Sequence, residues 1–378
     1  MKFVAGTTQP AATLADRGSR GLTTFDLDVR VAVVGYGYWG SKHTRVLSSM
    51  PGVQVTIVDE DPERISEAKR SYPSVESALR LDDVLGRVDA VVVATPPSAH
   101  AAVALQALRH GRHALVEKPL ATTVENAQEM VDAAAASGVH LMAGHTFEYN
   151  AAVWKLKGII DSGELGRILY IDAARLGLGK YQRDCNVIWD LAPHDISIAS
   201  FLLDEIPTTT WVWAKRHVGN RHADVAYLRL DFERALTHAF VHVSWLDPCK
   251  VRRVTVVGER KMAVYNDMSD NERIRVYDIG VDPTDPDDHG ESHAMPVSYR
   301  TGDIVSPFVQ FNEPLLVQDS HFIECIRTGT KPNTPGERGL DIVRVLAATD
   351  VAEATGRPAF VAGNIDPAEM DLMQGVAS

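Results

Sequence analysis

The sequence predicts an α/β domain built on a parallel sheet, followed by an α+β domain built on a large, open and mainly antiparallel sheet. Apolar strands alternate with helices up to about residue 149, whereas from about residue 150 strands follow one another with only turns between them. The chain has 378 residues, 45% of them hydrophobic, which is enough for two domains with substantial cores. We therefore expect a flexible leader at 1–28 and domains at 29–149 and 150–378, with the late helices packing back on the first domain.

The first predicted strand is the apolar run 29–34, and a Gly-x-Gly-x-x-Gly sequence follows it directly. Gly35 permits a tight turn, Gly37 lets a pyrophosphate approach the backbone, and Gly40 lets the next helix pack closely on the strand. That helix, which is expected to begin near Trp39, would direct its free N–H groups at phosphates. The pattern predicts a dinucleotide-binding unit.

A second apolar run, 53–58, ends in Asp59, which lies 19 residues after Gly40. This is about where a ribose-binding acid belongs in such a unit. The carboxylate can accept hydrogen bonds from both ribose hydroxyls and would repel a 2′-phosphate, so the sequence favours NAD over NADP. NADP remains the alternative cofactor, because Arg64 is nearby and an arginine there could bind the 2′-phosphate.

Three more side chains are expected at the ligand edge of this sheet. Further strands are predicted at 90–94, 113–116 and 139–143, and helices at 62–70, 99–110 and 124–136. Thr95, Lys118 and His145 each follow a strand, and ligands bind where parallel strands end. A lysine that is partly desolvated and close to a cationic nicotinamide is suited to proton handling or to polarising a hydroxyl. A surface lysine in a loop is the alternative for Lys118.

The second half opens with a predicted helix at 152–162 and continues as a series of strands. These strands are predicted at 168–174, 209–214, 223–232, 235–244, 252–257, 261–266 and 272–277, with late helices at 314–327 and 339–354. Such a sheet packs one face on its own helices and can offer the other to a partner subunit.

The stretch 189–195 carries a second set of candidate catalytic side chains. Pro193 suits the first position of a helix that continues to residue 203, which would place His194 in the first turn. The positive end of a helix favours neutral imidazole, the form that accepts a proton. Asp190 precedes His194 by four residues and could orient the ring or share its proton. A structural histidine is the alternative, and Asp195 is expected to be a carboxylate at the helix start.

Composition excludes several other classes of function. The net charge of −12 argues against nucleic-acid binding, and no apolar run approaches the length of a membrane span. Three cysteines, far apart and odd in number, fit a reducing cytoplasm better than a disulfide framework. Asp287, Asp288 and His289 lie in a proline-rich acidic stretch and are interpreted as a solvated turn, so no metal site is predicted.

The glycine turn, the tripeptide Glu117-Lys118-Pro119 and the pattern Asp190-x-x-x-His194-Asp195 resemble the glucose–fructose oxidoreductase / inositol dehydrogenase / rhizopine-catabolism family of NAD(P)-dependent oxidoreductases. The resemblance covers about residues 29–360. It implies a Rossmann domain, a catalytic group of Lys118, Asp190 and His194, a cis peptide before Pro119, and homo-dimers or homo-tetramers formed through the open sheet. Beyond the three glycines, it implies cofactor contacts at Tyr38, Trp39, Asp59, Thr95, Pro96, His100, Glu117, Lys118 and His145.

Four stretches, 35–40, 144–147, 189–194 and 244–248, are similar to members that act on nucleotide-activated sugars, UDP-N-acetylglucosamine 3-dehydrogenases above all. These members produce a 3-keto sugar. A nucleotide sugar carries a diphosphate that needs cations, and Arg175 and Arg183 are candidates, with ordinary surface arginine as the alternative. Tyr149 and Asn150 are further candidate substrate contacts, although their segment departs from the Arg-Phe-Asn-Pro-like segment of many family members.

The predicted chemistry places a sugar hydroxyl between the nicotinamide and the pair Lys118 and His194. His194 would take the hydroxyl proton, Lys118 would steady the alkoxide, and Asp190 would fix the imidazole, although the sequence leaves open which of the first two is the main base. Two other functions fit the chain: a dehydrogenase of a free sugar, inositol or aminocyclitol, and a non-catalytic NAD-sensing regulator. The joint presence of the three side chains argues against the regulator, which needs none of them.

Overall fold

The computed structural model describes residues 28–179, 181–182, 185–219, 221–283 and 297–363. The predicted leader up to residue 27 lies outside the described residues. So do Asp287, Asp288 and His289, and the interpretation of that stretch as a solvated turn stays a prediction.

Within the described residues, the first sheet is parallel with helices in its connections, as predicted, and it has six strands, of which the short strand at 76–78 was not predicted. The strands are β1 (Val29–Val34), β2 (Val53–Val58), β3 (Glu76–Ala78), β4 (Ala90–Val93), β5 (His113–Glu117) and β6 (Leu141–Gly144). The helices are α1 (Tyr38–Ser48), α2 (Pro62–Ser71), α3 (Pro97–Arg109) and α4 (Val124–Ser137). The strand order is β3-β2-β1-β4-β5-β6, so the order reverses between β1 and β4, where ligands of such sheets bind.

Local signals in the sequence explain where these helices begin and end. The Asp61 carboxylate accepts the Glu63 N–H at the start of α2, with Pro62 in the first turn, and Thr123 caps α4 by accepting the Asn126 N–H. Helix α4 ends where Gly138 adopts a φ of 65°, a conformation that glycine takes without a Cβ clash.

The second half of the chain forms a nine-stranded sheet with helices against one face. Its first elements are α5 (Ala151–Asp161), β7 (Ile168–Leu178), α6 (Val187–Leu203), β8 (Thr209–Lys215), β9 (Val225–Phe232), β10 (Thr237–Ser244) and β11 (Leu246–Gly258). They are followed by β12 (Met262–Asn266), β13 (Ile274–Tyr277), β14 (Gly280–Pro283), β15 (Val297–Arg300), β16 (Ile304–Val305), α7 (Pro314–Thr328), α8 (Gly336–Thr355) and β17 (Ala359–Phe360).

The strand order of this sheet is β16-β13-β12-β11-β7-β10-β9-β8-β17, and β14 pairs with β15 separately. Its strands pair antiparallel except β7 and β10, which run parallel, so the sheet is mainly antiparallel as predicted. The side chains of Ile171, Val241 and Val254 are buried on the helix-covered face. The other face exposes aromatic side chains, among them Trp211 and Trp213.

The last two long helices return to the first sheet. Phe322 and Ile323 of α7 belong to the core beneath β1 and β2, and Leu340 and Val343 of α8 pack with α3 and α4. The two sheets therefore face a shared cleft. No helix in the described ranges combines the length and the apolar character needed to cross a membrane.

Candidate active site

Two cavities open along the cleft between the sheets. The larger has a volume of about 970 Å³ and extends over the second sheet, and the smaller, of about 420 Å³, lies against the start of α3. Both are lined by Trp39, Glu117, Lys118, Gln182 and Asp190, so they meet where β5 ends.

The glycine turn has the shape that a dinucleotide pyrophosphate requires. Gly35 has a φ of 89°, and a Cβ on Gly40 would lie 1.7 Å from the Gly35 carbonyl oxygen, so the helix can approach the strand only without that atom. A Cβ on Gly37 would meet its nearest neighbour, Arg64, at 3.8 Å, which leaves open space over the backbone. No side chain caps the start of α1, so its first N–H groups are available to a phosphate.

These contacts predict different outcomes for two alanine substitutions. Gly40→Ala forces backbone against backbone, and we expect it to lower the free energy of unfolding by about 1–3 kcal/mol as overpacking does, and to weaken NAD binding. Gly37→Ala fits the unliganded turn, so it should leave stability unchanged while its methyl group obstructs the pyrophosphate. Denaturant unfolding and NAD titration measure the two effects, and wild-type NAD affinity in Gly37→Ala would refute this placement.

Asp59 ends β2 and faces the glycine turn. Its Oδ2 accepts the Tyr36 N–H at 2.6 Å and its Oδ1 accepts the Asp61 N–H at 2.9 Å. These two hydrogen bonds fix the orientation of the carboxylate without a bound ribose. Arg64 Nη1 lies 3.5 Å from the same carboxylate, and Arg64 is thereby drawn towards Asp59. The acid therefore has the position predicted for a ribose ligand of NAD.

His100 joins the two loops that border the smaller cavity. Its Nδ1 lies 2.8 Å from the Pro119 carbonyl oxygen and its Nε2 lies 2.9 Å from that of Thr95, while burial lowers the pKa of the imidazole. Both ring nitrogens thus face backbone oxygens. His100 therefore links the two loops beside the predicted cofactor site. Thr95 lines the cavity, its hydroxyl has no hydrogen-bond partner in the described part of the chain, and Pro96 immediately precedes α3.

Lys118, which follows β5, and Asp190, which lies in α6, meet in the cleft. The Lys118 Nζ donates to the Asp190 carbonyl oxygen at 2.6 Å and lies 3.4 Å from its Oδ1. Trp245 Nε1 donates to the other carboxylate oxygen at 3.1 Å. Lys118 is only 11% exposed, and the peptide before Pro119 is cis, as the resemblance implied.

The prediction for the start of α6 was wrong. The helix begins at Val187, where Asn186 Oδ1 accepts the Trp189 N–H at 3.0 Å, and Pro193 lies inside it. An asparagine cap is a strong start signal, and an internal proline removes one helical hydrogen bond without always ending the helix. His194 therefore lies beyond the first turn, and the positive helix end is not what governs its charge.

His194 lines the large cavity as a half-buried, neutral imidazole. Burial lowers its pKa well below 6.5, and the nearby cations Lys118 and Arg175 lower it further. The neutral form was predicted, but its cause is burial. Nδ1 has no partner among the described residues, and the ring packs edge-on against Phe147 at 5.0 Å. The predicted contact with Asp190 is absent from the described residues, because that carboxylate turns to Lys118 and Trp245.

The structure also corrects the roles predicted for Arg175 and Asp195. Arg175 Nε and Nη2 donate to the Asp195 carboxylate at 2.8 and 3.0 Å, and both side chains are buried. The guanidinium also lies 4.4 Å from the centre of the Phe147 ring. Asp195 is therefore the buried partner of an arginine rather than a helix-start carboxylate, and Arg175 is already paired. Arg183 lies outside the described residues.

Two side chains predicted to contact the substrate form hydrogen bonds within the protein. Tyr149 is buried with its hydroxyl 3.0 Å from Thr334 Oγ1, and it does not reach the cavity. Asn150 lines the cavity, but its amide accepts the Ala152 N–H at 2.9 Å and donates to the Tyr265 hydroxyl at 3.0 Å.

His145 is the predicted contact whose polar atoms remain available. The ring is 1% exposed, and neither nitrogen has a partner among the described residues. Burial, together with the charges of Arg338 and Lys118, lowers its pKa to about 3, so the imidazole is neutral.

Sequence reasoning missed His43, which lies under the site on α1. Its Nε2 lies 3.0 Å from Glu117 Oε1 and its Nδ1 lies 2.9 Å from Asp319 Oδ2, with the ring fully buried. The second Glu117 oxygen accepts the Lys118 N–H at 3.3 Å. A histidine on the buried side of the helix after Gly40 was the available signal, but no spacing rule singles it out.

Comparison with known proteins follows the same two-part division. Residues 29–145 match the GFO_IDH_MocA description "Oxidoreductase family, NAD-binding Rossmann fold", and residues 153–264 match the GFO/IDH/MocA C-terminal domain. An inositol 2-dehydrogenase of Rhodococcus erythropolis is 32% identical over 192 residues, which is 49% of this chain and 56% of the relative. The chain spans about half the length of the curated relatives that it matches first.

Two solved structures share the fold over nearly their whole length. The WlbA dehydrogenase of Bordetella pertussis, in complex with NADH and UDP-GlcNAcA, has a TM-score of 0.74 at 21% identity and covers 90% of this chain and 99% of its own. UDP-N-acetylglucosamine 3-dehydrogenase GnnA of Acidithiobacillus ferrooxidans has a TM-score of 0.71 at 24% identity and covers 86% and 97%.

Proposed function

Because this chain belongs to the Gfo/Idh/MocA family of NAD-dependent oxidoreductases, we propose that it transfers hydride between NAD and C3 of a nucleotide-activated sugar such as UDP-N-acetylglucosamine, giving a 3-keto sugar. The observation that supports this most is the meeting of Lys118 with Asp190 and His194 at one cavity of about 970 Å³. The cavity has to hold the nicotinamide end of NAD together with the substrate, and its volume lies within the usual range of small-molecule sites.

The side chains divide the proton chemistry among them. Bound NAD⁺ supplies the hydride acceptor. His194 is neutral and faces the cavity, so it takes the hydroxyl proton, while the Lys118 ammonium donates a hydrogen bond to the oxygen that becomes negative. Asp190 fixes Lys118 through both its carbonyl and its carboxylate, and Trp245 fixes that carboxylate in turn.

A second candidate function is oxidation of a free polyol or sugar. The similarity to an inositol 2-dehydrogenase favours it, and the same Lys118 and His194 chemistry would serve. The lysine and arginine side chains that line the cavity favour the nucleotide sugar instead.

The hydride-transfer proposal is tested with purified protein, NAD⁺ and three substrates: UDP-N-acetylglucosamine, free N-acetylglucosamine and myo-inositol. We expect reduced nicotinamide to accumulate fastest with the nucleotide sugar. With a nucleotide sugar that carries deuterium at C3, we expect the deuterium to appear in the reduced cofactor. Reduction with myo-inositol alone would establish the second candidate, and deuterium retained at C3 would exclude the position.

We also propose that the chain forms homo-dimers or homo-tetramers through the open face of the second sheet. Tyr170, Trp211, Trp213, Tyr227 and Phe240 are each about half exposed there. Several large aromatic side chains exposed on one face of a sheet favour an interaction site there. A monomeric molar mass by light scattering at working concentration would contradict the assembly.

A cytoplasmic location is proposed from the thiols. Cys249 is exposed and Cys325 is buried, and both are free. Unoxidised cysteines are typical of a reducing compartment.

A further inference from the structure

The outer part of the large cavity is lined by basic side chains that the sequence motifs did not single out. Arg175 on β7 is opposite Arg252 on β11, and the Asp267 N–H donates to the Arg252 carbonyl oxygen. Arg273 immediately precedes β13, which lies two strands beyond β11 in the sheet. Three strand spacings separate Arg175 from Arg273, which is roughly 14 Å.

The charge of the cavity favours a dianionic ligand. Among the described residues that line it, six are lysine or arginine and four are aspartate or glutamate. This excess of two positive charges occurs in a chain whose net charge is −12. Lys250 points into the cavity rim without a carboxylate partner in the described part of the chain, so it is available to a phosphate.

Phe311 and Arg273 form an aromatic and cationic wall at the far end. The Arg273 guanidinium lies 4.0 Å from the centre of the Phe311 ring, and its Nε has no partner among the described residues. Phe311 is 46% exposed and lines the cavity, so its ring retains surface for a ligand. An aromatic ring can stack with any nucleobase, because every base has a π-face.

We propose that this outer part is a nucleoside diphosphate subsite, in which Lys250 and Arg252 bind the diphosphate and Arg273 with Phe311 holds the base. The inference rests on the proposed function for the identity of the reacting sugar. Arg175 is left out because it is buried against a carboxylate of its own, Asp195. Arg252 and Arg273 instead share the carboxylate of Asp267, at 3.2 and 3.7 Å, and the other neighbour of Arg273, Asp270, is exposed to solvent at 3.7 Å.

The test is calorimetric titration of protein saturated with NADH, so that the cofactor site is closed to the probe. UDP and GDP are the nucleotide probes, and inorganic pyrophosphate is the probe without a base. We expect a nucleoside diphosphate to bind the wild type, and Lys250→Gln and Arg273→Gln to weaken it about 10- to 100-fold, as loss of a charge-assisted hydrogen bond does. Phe311→Ala should weaken the nucleotide but leave pyrophosphate unchanged.

Arg253→Gln is the matched control. Arg253 is the neighbour of Arg252 on β11, but it faces the open side of the sheet, 4.0 Å from Asp172. Equal affinity in Arg253→Gln and Arg273→Gln, or no binding of either nucleotide, would overturn the subsite. Arg273-dependent nucleotide binding without any hydride transfer would instead retain the subsite and reject the proposed function. Hydride transfer with UDP-N-acetylglucosamine at the wild-type rate in Lys250→Gln, Arg273→Gln and Phe311→Ala would retain the proposed function and reject the subsite.

Discussion

Lys118→Met is expected to lower kcat by about 10²- to 10⁴-fold, the usual contribution of a positioned proton-transfer group. The methionine keeps the length of the side chain but removes the ammonium that lies 2.6 Å from the Asp190 carbonyl oxygen. Because our proposal assigns most of the cofactor binding to the glycine turn and Asp59, the affinity for NAD⁺ should change far less than kcat. Steady-state kinetics and cofactor titration measure the two quantities.

Lys42→Met is the matched control, since Lys42 also lines the large cavity but lies over the Tyr38 ring, 4.7 Å from its centre. Its kcat should stay within about tenfold of the wild-type value, because no contact joins it to the proton-transfer group. Near-normal turnover in both Lys118→Met and His194→Ala would show that the catalytic assignment is wrong.

His43→Ala is expected to reduce the free energy of unfolding by about 3–5 kcal/mol, as loss of one partner from a buried ion pair does. Burial lowers the pKa of His43, but Asp319 and Glu117 outweigh it and raise the pKa to about 10. The raised folded-state pKa gives a stabilisation that is fully present below about pH 6.5, the ordinary histidine pKa, and is lost as the pH rises through about 10. The two ring nitrogens of His43 contact two carboxylates, Glu117 on β5 and Asp319 on α7.

Arg45→Gln supplies the comparison for this measurement. Arg45 is on the same helix and pairs with Glu313 at the surface, where such a pair contributes about 0–1 kcal/mol. The Tm of the wild type should fall steeply towards pH 10, whereas that of His43→Ala should be lower and flatter over the same range. If the plots of Tm against pH for the wild type and His43→Ala stay parallel, His43 is not the cation that pairs with Glu117 and Asp319.

The parts of the fold that follow from local patterns were predictable. The strand of valines before Gly35, the close approach at Gly40 and the acid at Asp59 each rest on a steric or charge requirement within a short segment. The alternation of strands and helices gave the parallel sheet, and the mainly antiparallel second sheet followed from strands without helices between them. Strands such as β16 and β17 are two residues long, which is too short for a periodic signal.

The partners of the site residues were not predictable, because they depend on contacts between distant segments. Asp190 and His194 are four residues apart on one helix, yet the carboxylate bonds Lys118 and Trp245 from other elements. Arg175 is an isolated arginine in the sequence, and only the fold shows that Asp195 neutralises it. His43 likewise gains its charge from Asp319, which lies 276 residues away.

The central claim is that the amine of Lys118, directly after β5, and the imidazole of His194 in α6 act on one sugar hydroxyl beside the nicotinamide. A crystal structure of the protein with NADH and a nucleotide sugar measures this most directly. The account predicts the sugar C3 oxygen within hydrogen-bond distance of both Lys118 Nζ and His194 Nε2, with C3 facing the nicotinamide C4. A complex in which the sugar contacts neither side chain, or in which the nicotinamide points away from the large cavity, would contradict it.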